Sequence, residues 1–268
     1  METLRDNLWV WGHDAGCHHS GAGLPWNIPG TNKMGPVEGA AYLNIPNCCR
    51  VVFEGKPLPP FDAESAKLRS FKNVVWSITG DCSSVRNNDG ADDLSEVLRQ
   101  ATLFDNVSGG ILDDFFRPAT GDARMTLERL QEVADALHNA PRKLELFLVY
   151  YAALFDIDYS EYLDKADVIT FWSWNSRELS QVRENLQKIS AMTPGKKHYA
   201  GCYLYNYGDC RELTDEEMRF QLEVYLDFWK AGKIDGIIVC SNTVADTGIN
   251  AVEIFRQWNA EFGNTTRG

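Results

Sequence analysis

HYAGCYLY (residues 198–205), TDEEMRFQLEVYLDFWKAG (214–232) and GIIVC (236–240) follow one another near the end of the chain, and their periodicities decide the architecture. The first and third are short runs rich in Tyr, Ile and Val bounded by Gly, Asp or Asn, the signature of strands. The second begins with Thr214 three residues ahead of Glu217, the pattern of a capping box. Its apolar residues Met218, Leu222, Tyr225, Leu226 and Trp229 recur at spacings of three and four, so one face of a helix over Asp215–Ala231 is buried. Gly232 stands where a helix-ending glycine would. Strand, helix, strand is the unit of a parallel sheet joined by right-handed crossovers.

The unit repeats along the whole chain. Strands are expected at Leu8–Gly12, Cys49–Phe53, Val74–Thr79, Gly110–Asp113, Leu144–Tyr151, Val168–Ser173, His198–Tyr205 and Gly236–Cys240. Helical patterns are clearest over Met125–His138, Arg177–Met192, Asp215–Ala231 and Ile249–Phe262, with a shorter first helix near Pro36–Leu43. Eight such units in 268 residues fit an α/β fold of the (β/α)8 barrel type, whose usual size is about 250 residues. A doubly wound open sheet would place a phosphate-cradling glycine loop after the first strand, and the residues from Gly12 to His18 do not match one. No shift in composition marks a linker, so residues 1–268 are expected to form one barrel domain.

Charge and cysteine usage narrow the setting. The 38 acidic residues outnumber the 26 basic ones, for a formal charge of -12, and no basic cluster offsets this locally. A nucleic-acid partner is therefore not expected. The longest apolar run, Leu146 to Phe155, is far short of the roughly 18 residues that a membrane helix requires, so no membrane partner is expected either. Seven scattered cysteines show no disulfide spacing, and the N-terminal residues lack a signal-peptide core. A reduced, cytoplasmic setting is the plain expectation, although an exported protein whose signal had been removed would read the same way.

In a barrel, chemistry sits where the strands end. Those ends carry His13 after strand one, Glu54 after strand two and Asp81 after strand three, followed by Asp113 and Asp114 after strand four. Tyr150 and Tyr151 end strand five, Trp174 and Asn175 follow strand six, Tyr205 and Asn206 strand seven, and Asp246 strand eight. Carboxylates and aromatics gather here while the strand bodies are apolar. The sharpest element is GGILDDFF (109–116). Two adjacent carboxyls beside a core repel one another, so one should retain a proton, as a general acid must.

This segment resembles the adjacent-aspartate motif of barrel β-N-acetylglucosaminidases, including those that remove O-linked GlcNAc. More broadly, the chain looks like a glycoside-hydrolase barrel. The resemblance spans the motif and the barrel order. It implies that Asp113 orients the 2-acetamido group of a carbohydrate substrate and that Asp114 is the general acid/base, with the sugar's own carbonyl as nucleophile. An ordinary retaining or inverting pair stays open, with Glu54, Asp81, Asp209 or Asp246 as the second carboxylate.

The eight tryptophans favour a sugar ligand. Trp229 and Trp258 fall on helices and are core anchors. Trp11, Trp76 and Trp174 lie near strand ends, where an indole face can stack on a pyranose. Asn175, Tyr205 and Asn206 can hydrogen-bond a hydroxyl or amide. His13, Glu54, Trp76, Asp81, Tyr150, Trp174, Asn175, Tyr205 and Asn206 are accordingly the expected substrate contacts. Two other functions remain in play: a non-catalytic sugar- or protein-binding barrel, and a zinc hydrolase using His13, Cys17, His18 and His19. The zinc reading lacks His-x-His on strand one and histidines on strands five and six, so no metal or other cofactor is expected. No Gly-x-Ser-x-Gly elbow, no convincing Cys–His dyad and no Walker loop is present.

Overall fold

The computed structural model describes residues 2–20, 26–82, 86–87, 90–117 and 120–267. Its eight strands are β1 (Leu8–Gly12), β2 (Asn47–Arg50), β3 (Asn73–Thr79), β4 (Val107–Leu112), β5 (Glu145–Tyr151), β6 (Val168–Trp172), β7 (Lys197–Tyr203) and β8 (Gly236–Cys240). Each pairs in parallel with the next, and β8 pairs with β1, so the sheet closes into a barrel. The helices among the described residues are α1 (Cys17–Ser20), α2 (Pro36–Leu43), α3 (Asp62–Lys67), α4 (Leu94–Leu103), α5 (Leu127–His138), α6 (Ser160–Leu163), α7 (Ser176–Ser180), α8 (Val182–Met192), α9 (Asp215–Lys230) and α10 (Asn250–Phe262). The (β/α)8 expectation holds. None of these helices is long and apolar enough to cross a membrane.

Several boundaries move for physical reasons. β2 begins at Asn47, ahead of the apolar run, because the register Trp9↔Asn47 and Asn47↔Asn73 is set by its neighbours. The Asn47 amide donates to the Leu8 and Asp6 carbonyls, which lets a polar residue start a buried strand. β4 takes in Ser108 and Gly109, for Gly109 lies against the Glu145 backbone and Gly110 against Ile78, where a side chain would collide. The expected helix over Arg177–Met192 is two helices, α7 and α8, divided at Gln181. The acids at the start of α4 are held in ion pairs. Asp93 pairs with Arg86, Asp92 with Arg129, and Glu96 with Arg99.

The lumen fills from the bottom. Residues on a strand alternate between the two faces of the sheet. Trp9 of β1, Phe147 of β5 and Tyr199 of β7 meet with ring centroids 5.5–6.0 Å apart and close the lower end. Above them Trp11 packs edge-on against Trp172 at 5.2 Å. Trp172 has room because β7 places Gly201 under its indole, where a Cβ would come within 2.1 Å. Layers contributed by alternate strands are the usual filling of such barrels. Outside, α9 carries the capping box, with Thr214 and Glu217 side chains each accepting the other's backbone N–H.

Two stability effects follow. Gly201→Ala should destabilise by about 1–3 kcal/mol through overpacking against Trp172. Thr214→Ala should cost about 1 kcal/mol for the lost cap. Urea unfolding should show both as lower midpoints with an unchanged slope; an unaltered midpoint for Gly201→Ala would contradict the lumenal packing of Trp172.

Candidate active site

A cavity of about 720 Å³ opens at the carboxyl ends of the strands. Its floor and walls are mainly aromatic, including Trp11, Trp172, Tyr203, Trp174, Tyr207, Trp26 and Phe53. His13, Asp81, Asp113, Asp114, Trp174 and Asn175, six of the residues expected from sequence, line it together. His13, Asp81, Asp113 and Trp174 continue the alternation that directs a strand's side chains into the lumen: Trp9 and Trp11 on β1 are followed by His13 just past it, and Ser77 and Thr79 on β3 by Asp81.

Asp113 and Asp114 occupy different surroundings. Asp113 is buried, 6% exposed, and its Oδ1 accepts the Asp114 backbone N–H at 2.9 Å. Burial, then the neighbouring charges of Asp114 and Asp81, pushes its carboxyl well above the usual carboxylate range. Arg124 opposes this shift only in part, because its guanidinium spends its donors on backbone carbonyls, at 2.9 Å on that of Asp113, 2.8 Å on that of Asn87, and on that of Gly80. Asp114 is half-buried with φ of 42°. A left-handed backbone at a non-glycine residue is costly and tends to persist where the surroundings hold it for function. Here Asp114 Oδ1 accepts from the Tyr151 hydroxyl at 2.8 Å and Oδ2 from the Cys82 backbone N–H at 3.2 Å.

Asp81 is buried on the wall beside the pair, with Oδ1 accepting the Glu54 N–H at 2.8 Å. Asn175 caps α7, where it accepts the Glu178 N–H at 3.0 Å and donates to Glu178 Oε1 at 3.1 Å. Its amide is thus largely committed to the helix start. Trp174 stacks on Tyr207 with centroids 6.0 Å apart.

Five expected contacts lie elsewhere. Trp76 points outward from β3, stacked on Phe61 at 4.4 Å and bonded to Ser65, so it is core under α3. Tyr150 likewise faces the helices, its hydroxyl on the Leu154 carbonyl at 3.0 Å. The lumenal tyrosine of β5 is Tyr151, one residue on. Tyr205 is buried with its hydroxyl donating to the Trp26 carbonyl. Asn206 donates to Ser176 and Asp209 and so braces the loop after β7. Glu54 is exposed and off the cavity wall, in a turn where Phe53 and Lys56 pair. Of the other candidate carboxylates, Asp209 is engaged by Ser176 and Asn206, and Asp246 by Asn32 and the Lys33 N–H. Neither lines the cavity.

Tyr203, Tyr207 and Glu178 on the wall were not among the contacts expected from sequence, nor was Tyr151, although it was named at the end of strand five. Strand parity could have found Tyr151 and Tyr203, because they fall in step with Phe147 and Tyr199. Glu178 carried no lumenal signal, being the third residue of a helix. Burial raises its carboxyl, and its Oε2 accepts the Trp174 N–H at 2.6 Å. Nor did the sequence show that ligand atoms of His13, Cys17 and His18 come within 4.8 Å of one another.

The barrel is similar to those of several solved structures. An α-L-fucosidase candidate from Bacteroides thetaiotaomicron aligns over 99% of this chain and 98% of its own, with a TM-score of 0.59 at 12% identity. The active domain 2 of a chitinase from Pyrococcus furiosus aligns over 97% of each chain, with a TM-score of 0.56 at 12% identity. A β-1,4-mannanase aligns over 97% of this chain and 99% of its own, with a TM-score of 0.54 at 10% identity. No protein-family model matches the sequence, and no curated protein matches it. These three structures are glycoside-hydrolase barrels, and what the chain shares with them at such identities is the (β/α)8 fold.

Proposed function

We propose that the protein is a glycoside hydrolase acting on a 2-acetamido sugar, with Asp113 and Asp114 as its reacting pair. The observation that carries this reading is the unequal environment of two adjacent carboxyls on the wall of an aromatic cavity. Asp113 is buried, and burial together with the charges of Asp114 and Asp81 pushes its carboxyl well above the usual carboxylate range. Asp114 is nearer solvent and accepts two hydrogen bonds. Carboxyls whose surroundings push their protonation apart are the usual sign of divided acid and base duties. The aromatic walls suit the apolar faces of a pyranose, and fold alone would not choose this substrate over another.

The chemistry divides as the motif resemblance implies. An acetamido N–H reaching Asp113 favours its ionised form, so in this mechanism the proton of the pair rests on Asp114 once substrate is bound. Asp114 then protonates the departing glycosidic oxygen while the acetamido carbonyl oxygen bonds to the anomeric carbon. In the second half, Asp114 takes a proton from water as that water opens the cyclic intermediate. Tyr151, donating to Asp114 Oδ1, holds the carboxyl in one orientation. If the substrate lacks an amide, the carboxylates on the cavity wall able to complete a two-carboxylate mechanism are Asp81 and Glu178.

Asp114→Asn should leave the fold intact and lower turnover of an aryl 2-acetamido-2-deoxyglycoside at least about 100-fold; unchanged turnover would remove Asp114 from the mechanism. A GlcNAc-derived thiazoline should inhibit competitively. Activity on sugars without the amide, indifferent to the thiazoline, would move the chemistry to Asp81 or Glu178.

Asp113 also makes a stability prediction. Its folded-state pKa lies above the ordinary 3.8 of the unfolded chain. Below about pH 3.8 both states are protonated and burial costs nothing through ionisation. As pH rises, the unfolded chain ionises while the folded one resists, so wild-type stability falls relative to a neutral side chain. Asp113→Asn should therefore be more stable than wild type at pH 7, with the difference shrinking as the pH approaches 4. Urea titrations at both pH values would measure it; a pH-independent difference would deny Asp113 its raised pKa.

A further inference from the structure

The loop after β1 holds a second chemical feature on the same cavity. β1 delivers His13 to the lumen, and Gly16, with φ of 74°, turns the chain so that Cys17 and His18 open α1 back over it. Ligand atoms of the three side chains lie within 4.8 Å of one another. His13 and His18 line the cavity and are 3% and 6% exposed. His13 Nδ1 is shut off from solvent and has no hydrogen-bond partner among the described residues. A buried polar nitrogen left in this state requires an explanation.

We propose that His13, Cys17 and His18 hold a zinc-class divalent cation at the cavity wall, with the fourth coordination position open to the cavity. Two imidazoles and a thiolate are a borderline-soft donor set suited to zinc, and three protein ligands with one vacant position are the pattern of reactive zinc sites. With bonds of about 2.0–2.3 Å, tetrahedral donors stand roughly 3.3–3.6 Å apart, so side-chain rotation of about 1 Å closes the cluster.

The surroundings supply what a ligand histidine needs. His18 Nδ1 meets the Tyr207 hydroxyl at 2.9 Å and Thr243 Oγ1 at 2.7 Å, which fixes the ring and leaves Nε2 for the cation. Such outer contacts orient metal-binding histidines in general. Asp14 and Glu54 set negative charge near Cys17. The nearby Arg50 is already matched by carboxylates of Asp14 and Glu64. A cation here would offer a Lewis-acidic position to an oxygen of the bound ligand. The site shares no residue with the Asp113–Asp114 pair, so either assignment can fail without the other.

Cobalt is the probe, because its spectrum reports both geometry and thiolate ligation. Wild-type protein stripped with chelator should bind one Co²⁺ per chain, with the strong visible absorption of a four-coordinate ion and a near-ultraviolet thiolate-to-cobalt band. Zinc should displace it, and either metal should raise Tm by binding the native state. Cys17→Ser should abolish the near-ultraviolet band and weaken binding at least about tenfold. Cys82→Ser, which removes another thiol on the cavity wall, should leave both unchanged. Weak, pale absorption in the wild type would overturn the proposal without any variant having to fold. So would a thiolate band that survives in Cys17→Ser or vanishes in Cys82→Ser.

Discussion

Leu8, Trp9 and Val10 pair with Ile237, Ile238 and Val239, and that ladder turns an eight-stranded sheet into a cylinder. Closure leaves the sheet without an edge and gives every strand an inside and an outside. From then on a residue's role depends on its parity. Trp9, Trp11 and His13 point inward from one strand; Trp76 and Tyr150 point outward from others and become packing for the helices. The cavity is the part of the lumen that the tryptophan and tyrosine layers leave unfilled above them.

The same closure makes the Asp113–Asp114 arrangement achievable. A carboxyl at the end of an open sheet would be solvated. At the top of a packed lumen Asp113 is 6% exposed and feels the charge of Asp81 just past the end of β3, with Arg124 holding the surrounding carbonyls together. The backbone turns left-handed one residue later, so Asp114 departs from the strand's alternation and reaches Tyr151 on β5. One strand end thereby supplies two carboxyls in unlike environments. Neither polarity nor burial alone would do this.

Most of the fold was legible because it rests on local signals. The α9 capping box, Gly232 and the eight β-rich runs are read within a few residues, and the structure keeps them. Less of the cavity could be read, because strand ends were treated as positions and not as alternating faces. Asp113, Asp81 and Trp174 stood on the inward parity, and Asp114 reaches the cavity only through its left-handed backbone. Tyr150 was chosen where Tyr151 belongs, although the alternation counted from Phe147 separates the two tyrosines. Glu178 and the approach of Cys17 and His18 to His13 depend on how loops fold back over the barrel, and no periodicity encodes that. Asn206 and Tyr205 looked like ligand contacts because their polar groups seemed unspent, whereas the loop after β7 uses them to hold itself together.

Arg50 connects this loop architecture to ligand capture. Its guanidinium is fully buried at the end of β2, bound to Asp14 in the loop after β1, to Glu64 on α3, and to the carbonyls of Gly12 and Val51. The residues on either side of Asp14 are those that present His13, Cys17 and His18. A loop fastened at its centre to a buried cation loses its conformational freedom when the chain folds, not when a ligand arrives. Binding at that wall therefore meets little ordering penalty, and affinity reflects the contacts themselves. At the rim opposite, the buried guanidinium of Arg124 fastens the backbone carbonyls of Gly80, Asn87 and Asp113, while the Asp114 carboxylate is steadied by hydrogen bonds from Tyr151 and the Cys82 N–H. Both walls of the cavity are thus tied to a buried guanidinium, so a ligand meets two faces whose backbone was ordered on folding.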